Sequence, residues 1–221
     1  MNPLETRALY DLPHTLAAPL LEKVRYPWEA LSGIGAFIAA LGPTLSPEEY
    51  ASPRPGVWIH KTAVLAPTAF VGETVIIGPG AEVRHGAFIR GNALVGEGAV
   101  VGNSTELKNV ILFDRVQVPH YNYVGDSILG YKAHMGAGSI TSNVKSDKTL
   151  VTIKGVGDPV ETGLKKCGAM LGDLVEIGCG SVLNPGTVVG REASVYPLSM
   201  VRGYIPARSI YKKQGEVVDK R

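Results

Sequence analysis

From Ile59 to Val101 a branched apolar residue returns at every sixth position, as Ile59, Leu65, Val71, Ile77, Val83, Ile89, Val95 and Val101. Four places after each stands a small or β-branched residue: Ala63, Ala69, Val75, Ala81, Ala87, Ala93, Ala99 and Thr105. A helix repeats every 3.6 residues and a strand every 2, so a strict six marks a structural unit stacked on copies of itself. The pattern predicts an all-β solenoid, a parallel β-helix whose triangular coils take one hexad to a side and three to a turn. The branched residue faces inward and the small one fits the bend. Each side chain then stacks on a neighbour about 18 positions away, across strands about 4.8 Å apart. The rhythm resumes at Leu171, Ile177, Leu183, Val189, Val195 and Val201, which makes roughly seven coils.

Residues 1–55 lack the hexad. Residues 15–24 (TLAAPLLEKV) read as a short apolar helix, and Pro27, at a first-turn position, opens a second (PWEALSGIGAFIAALG) that ends near Gly42. Ser46-Pro47-Glu48-Glu49 reads as a capped turn. Because a solenoid end needs a polar cover, 1–55 is expected to form a helical cap over the first coil, with a docking surface as the alternative. The β-helix is assigned to 56–205 and a tail to 206–221.

Two inward steps, 107 to 112 and 124 to 129, are five residues instead of six, and irregularities in a repeat often sit beside function. After Thr141 the chain leaves the coil in an excursion over 142–168. Within it, 148–154 (KTLVTIK) and 160–166 (VETGLKK) flank the turn GVGDP as an inserted β-hairpin, either a surface loop or a binding rim.

Composition narrows the function classes. The 27 Gly among 221 residues serve corners, and aromatics are sparse at 7%. No apolar run approaches the roughly 20 residues that span a bilayer, and no stretch has the layout of a signal peptide, so a cytoplasmic protein without membrane contact is expected. Cys167 and Cys179 are the only cysteines, too few for a thiolate metal cluster. A net charge of +2, with dispersed Lys and Arg and no aromatic stacking motif, argues against nucleic acid. A small anionic ligand fits.

Arg90 and Lys108 each follow an inward residue, Ile89 and Leu107, and should stack outward on adjacent coils. Like charges there are unfavourable unless an anion or carboxylate lies between them, and a phosphate would serve both; two solvated cations are the alternative. Residues 118–126 (VPHYNYVGD) place His120 near a corner within about one coil of them. A base titrating near neutrality is what deprotonating an amine requires, although a lone histidine often only packs. Backbone N–H groups in Gly136-Ala137-Gly138 could meet a developing oxyanion.

The segments GNSTELKN, VPHYNYVGD and MGAGSITSN, in this order and spacing, resemble the acetyltransferase domain of the bifunctional bacterial enzyme that makes UDP-N-acetylglucosamine, a hexapeptide-repeat acyltransferase acting on glucosamine 1-phosphate. The likeness spans about residues 57–205 and is most specific over 90–143. It extends to stand-alone proteins labelled as related to UDP-N-acetylglucosamine pyrophosphorylase, and the chain contains no Gly-rich nucleotidyltransferase signature. The resemblance implies a left-handed coil, a homotrimer with sites between neighbouring chains, acetyl-CoA as co-substrate and no metal requirement. It makes His120 the general base, assigns the sugar phosphate to Arg90, Lys108 and Tyr123, and matches Asn143 to a substrate-binding Asn. Lys148 matches a second lysine if one deletion is allowed, and Cys179 and Leu198 would lie along the CoA arm. Where the family has Asn, Tyr and Ser, this chain has His134, Val144 and Cys179, and the 148–166 hairpin is extra. All lie around the expected pocket, so the acyl transfer is better specified than the amino sugar.

The expected function is an N-acetyltransferase moving acetyl from acetyl-CoA to the 2-amine of an amino-sugar phosphate resembling glucosamine 1-phosphate. Two other classes compete. One is a β-helix that binds a sugar phosphate or nucleotide sugar without turnover. The other is a three-histidine zinc enzyme of the γ-carbonic anhydrase type, for which His85 and His120 are suggestively spaced but position 125, where a third His is needed, is Gly.

Overall fold

A computed structural model describes residues 2–213 and 216–219. The parallel β-helix expected from the hexads is the fold observed, with the left-handed coil that the resemblance implied. Three sides recur in chain order. Side A begins with Val57–His60 and continues through 75–77, 93–95, 110–112 and 127–129 to Tyr204–Ile205. Side B stacks Val64–Leu65, Glu82–Val83, Val100–Asn103, Gln117–His120, His134–Met135, Glu176–Ile177, Ser194–Val195 and Ser209–Lys213. Side C runs from 70–71 through 88–89, 106–107, 123–124, Ile140–Thr141 and Val182–Leu183 to Met200–Val201. The inward residues Ile77, Val83, Ile89, Val95 and Val101 are buried as the period requires.

Side B corrects the coil count and the tail. Its sheet has nine strands, the ninth being Glu216–Asp219, so the stack is taller than seven coils. Ser209–Lys213 pairs in parallel with Ser194–Val195, which carries the β-helix past residue 205. Both ends close in the same way. Tyr50–Arg54 lies antiparallel on the first rung and Glu216–Asp219 antiparallel on the last, which covers the open backbone edge of a parallel stack.

Apart from Tyr50–Arg54, the leading segment is not a cap over the first coil. It runs lengthwise along the outside of side A. Pro27–Gly33 and Ile34–Leu41 form consecutive helical turns, with Glu29 accepting the Tyr26 and Arg25 N–H groups at the start. Gly42 meets the Trp58 ring so closely that a Cβ would stand 2.3 Å from it. Further along, Asn109 donates to the Leu31 carbonyl at 3.2 Å, Tyr10 Oη donates to the Ile128 carbonyl at 3.2 Å, and His14 stacks on Tyr131 with ring centroids 3.7 Å apart.

The reason is a second apolar column. Ile76, Leu94, Ile111, Ile128 and Met170 pair in register on side A, each between two inward neighbours, so they face outward. All five are fully buried, and covering each is worth about 1.5–3 kcal/mol. Trp28 is 1% exposed and belongs to the helical turn that packs on Tyr123–Leu129. Trp28→Ala should therefore lower unfolding free energy by about 3–5 kcal/mol in urea titrations. A loss below about 1 kcal/mol would show that the segment rides loosely on side A.

The excursion holds the expected hairpin in shorter form, Thr152–Ile153 antiparallel to Val160–Glu161. It folds back on the coils: Val151 and Ile153 are buried, and Tyr204 N–H donates to the Lys154 carbonyl at 2.9 Å. Re-entry requires Gly168, where a Cβ would stand 2.2 Å from the Gly125 carbonyl oxygen. No helix among the described residues is long and apolar enough to cross a membrane.

Candidate active site

The two short steps in the sequence fall on the corner where side C turns into side A. Phe88–Val95 bends there through Arg90, Gly91 and Asn92, but Glu106–Leu112 bends with one residue fewer, so Lys108 pairs with Gly91 and Gly125 and Arg90 is left on a bulge. The expected direct stacking of Arg90 on Lys108 is thereby corrected. Asn109 and Asp126 take left-handed backbone at this tight corner, with φ of 55° and 48°. Both types tolerate that region better than most residues with side chains.

The tightening gathers polar groups around Asp126, whose side chain is only 5% exposed. Its carboxylate accepts from Lys108 Nζ at 2.9 and 3.2 Å, from Asn109 Nδ2 at 2.9 Å and from Asn143 Nδ2. Asn143 Nδ2 also donates to Tyr123 Oη at 3.2 Å. Gly125 makes room for that meeting, since a Cβ there would lie 2.5 Å from Tyr123 Oη. Burial raises the Tyr123 phenol above its ordinary pKa, against the lowering effect of the Asn143 hydrogen bond. Arg90 Nη1 donates to Glu106 Oε1 at 2.8 Å, and that contact raises its guanidinium pKa. Each cation thus has a carboxylate of its own, the second of the two solutions that the sequence left open.

His120 lies at the other end of side C. The corner between sides B and C is a ladder in which a left-handed residue of one coil donates its N–H to a carbonyl of the coil before. Ser104 donates to His85 at 3.3 Å, Tyr121 to Asn103 at 2.8 Å, Gly138 to His120 at 3.0 Å, Gly180 to Ala137 at 2.8 Å and Leu198 to Cys179 at 2.9 Å. His120, Cys179 and Leu198, three residues assigned from far-apart segments, therefore share one corner. The His120 side chain is exposed and makes no hydrogen bond among the described residues; its backbone N–H donates to Asn122 Oδ1 at 3.1 Å. The Ala137 N–H, one coil below, is also without a partner among the described residues. Cys179 is exposed and Leu198 is 85% exposed. His85 stands two coils from His120 on this corner, its Nδ1 within 2.7 Å of Thr68 Oγ1.

Side C separates His120 from Lys108 and Asp126 by about four residues of strand, or about 13 Å of backbone. Tyr123 lies between them, paired with Glu106, and Arg90 reaches this middle ground through the Glu106 carboxylate. Two assigned residues stand apart within the chain. His134 faces out from side B, its Nδ1 2.8 Å from Glu176, over a cavity of about 380 Å³ also lined by Arg115 and Lys132. Lys148 is exposed on the turn leading to the hairpin with φ of 61°, and its side chain has no partner among the described residues. Asp126, Glu106 and Asn109 went unassigned in the sequence reading. The available signal was an Asp following Gly at the slipped corner.

A family model described as the GMPPB C-terminal domain matches residues 74–214. The chain belongs to this family. The chain is also similar to the "Bifunctional protein GlmU" of Methanococcus maripaludis, with 34% identity over 119 residues, 53% of this chain and 29% of that protein. It is 32% identical over 98 residues to the "Bifunctional sugar-1-phosphate nucleotidylyltransferase/acetyltransferase" of Sulfurisphaera tokodaii, covering 44% of this chain and 24% of that one. The chain thus spans less than a third of the length of these curated relatives. Among solved structures, a hexapeptide transferase family protein from Anaplasma phagocytophilum superposes with a TM-score of 0.43 at 17% identity, over 75% of this chain and 79% of that one.

Proposed function

We propose that the chain is an acetyl-CoA-dependent N-acetyltransferase whose acceptor is an amino-sugar phosphate, glucosamine 1-phosphate being the first to test. The observation that carries this reading is the corner ladder: an imidazole and an Ala137 backbone N–H, both without partners among the described residues, and the exposed Cys179 and Leu198 follow one another along one edge. The names of the curated relatives support the same chemistry. In this reading the pantetheine arm lies along the corner and the sugar lies over side C. The acceptor ammonium gives a proton to the His120 imidazole, and the free amine attacks the thioester carbon. The resulting oxyanion accepts from the Ala137 N–H. The C–S bond then breaks, the departing thiolate takes the proton from the imidazolium, and the acylated nitrogen gives its remaining extra proton to the neutral imidazole, which releases it to water.

The phosphate end uses donors that the carboxylates leave over. A Lys ammonium has three protons and a guanidinium five N–H groups, so Lys108 and Arg90 can each hold their acid and still donate. A homotrimer that sets side B of one copy near side C of the next would bring the partner's His134 toward the sugar; sedimentation equilibrium tests that assembly.

The decisive assay is thiol release from acetyl-CoA with a panel of amino-sugar phosphates, paired with cysteine labelling. N-ethylmaleimide is expected to modify Cys179 and spare Cys167, whose thiol burial pushes up to about 12. Acetyl-CoA should slow the Cys179 reaction several-fold. Labelling at an unchanged rate under saturating acetyl-CoA would remove the corner as the CoA track. The departures from the family pattern at His134, Val144 and Cys179 favour one competing reading, a sugar-phosphate binding protein without turnover. Its signature would be tight binding of the sugar phosphate with no thiol released for any amine.

A further inference from the structure

The hairpin that folds back on the coils encloses a hollow of about 410 Å³. Its charged lining comes from three segments far apart in sequence: Lys145 from the start of the excursion, Lys154 from the end of the first hairpin strand, and Arg202 from the last coils. Ser142 and Asn184 add neutral polar groups from side C. The wall is built, not incidental, since Lys154 is fixed by its carbonyl bond to Tyr204 N–H, and a Cβ at Gly203 would lie 2.7 Å from that same carbonyl.

The charges are not balanced. Lys145 is held by Asp147 at 3.6 Å and by the Thr149 hydroxyl, and Asp147 is the one carboxylate in the lining. The Lys154 and Arg202 side chains have no hydrogen-bond or ion-pair partner among the described residues, whereas Arg90 and Lys108 each sit on a carboxylate at 2.8–2.9 Å. Two exposed cations without carboxylates of their own face one hollow, and a dianion there would be attracted by both. The volume falls in the range of small-molecule sites, about 300–1,000 Å³, and exceeds what a bare phosphate needs. Asn184 uses its amide N–H on the Val201 carbonyl at 2.9 Å, which leaves its oxygen to accept from a hydroxyl.

We infer that this hollow is a second ligand site, separate from the His120 corner, for a phosphate ester of a sugar: two charges meet Lys154 and Arg202, and the hydroxyls meet Ser142 and Asn184. It makes no use of acyl transfer and stands or falls independently of it. A free sugar phosphate and a nucleotide-linked sugar both carry this chemistry.

Calorimetric titration with glucose 1-phosphate and, separately, UDP-glucose tests the site, because neither ligand has an amine to acetylate. Binding is expected for the wild-type protein and is expected to weaken at least tenfold in Lys154→Ala/Arg202→Ala, whose exposed side chains should leave the melting curve unchanged. Arg25→Ala, an exposed cation of the leading segment that belongs to neither site, should retain this binding within about twofold. Tighter binding of UDP-glucose would identify the nucleotide-linked source, and equal or weaker binding the free sugar phosphate. Absence of binding to the wild type, an unchanged affinity in the double variant, or an equal loss in Arg25→Ala would overturn the site.

Discussion

His120→Ala is expected to cut acetyl transfer to glucosamine 1-phosphate by about 10²–10⁴-fold, the usual contribution of a positioned general base, and to leave the thermal midpoint where it was. The structural half of this expectation follows from exposure: the imidazole is on the surface and makes no hydrogen bond among the described residues. The bond from the His120 N–H to Asn122 Oδ1 and the bond from Gly138 N–H to the His120 carbonyl involve only backbone atoms of His120, and both survive truncation. Asn122 in turn is anchored by the Gly136 and Ser139 carbonyls at 2.9 and 3.0 Å, so the corner keeps its shape. A rate loss without a stability loss would separate chemistry from scaffolding. If thiol release by the variant equals that of the wild type, the base lies elsewhere and the corner ladder loses its catalytic meaning.

Asp126→Ala should act the opposite way, through stability first. Its carboxylate is almost wholly buried and collects donors from Lys108, Asn109 and Asn143. Truncation removes the acceptor from all three, and breaking a buried ion pair by deleting one partner costs about 3–5 kcal/mol. Lys108 is 28% exposed and can turn partly to water, which places the expected loss at the lower end of that range. The damage should also spread. Asn109 ties the corner to Leu31 of the leading segment, so the side A cover loosens with it. Urea unfolding measures the first effect, and the acceptor KM should rise as Lys108, Tyr123 and Asn143 lose their common anchor. A variant within about 1 kcal/mol of wild type would mean that water, not Asp126, satisfies these groups.

The β-helix was legible because its signal is local and repeated. Ile77, Val83 and Ile89 each report the same bend and the same inward face, and every further hexad strengthens one inference. The hairpin was legible for a similar reason, with β-rich runs on both sides of GVGDP. The site was legible only in part. Arg90, Lys108, Tyr123 and Asn143 do lie along one side and its far corner, but their carboxylate partners did not announce themselves. Glu106 and Asp126 look like ordinary surface acids until the coil places them 2.8–2.9 Å from cations 16 and 18 residues away. His134 stands where the family has Asn and Lys148 matches only across a deletion, and within one chain side B and the turn before the hairpin hold them apart from side C.

The side A cover shows the same division. Ile76, Leu94, Ile111 and Ile128 are spaced like rungs, so an outward apolar column could have been read from the linear chain. What covers it could not, because Tyr10 meets Ile128 across 118 positions and Leu31 meets Asn109 across 78. Periodic side-chain chemistry acts between near neighbours and dictates the coil wherever it occurs. The docking of the leading helices, the Asp126 anchor and the hollow under the hairpin depend on burial and charge pairing between distant segments, and those energies exist only once the coil has brought the partners together.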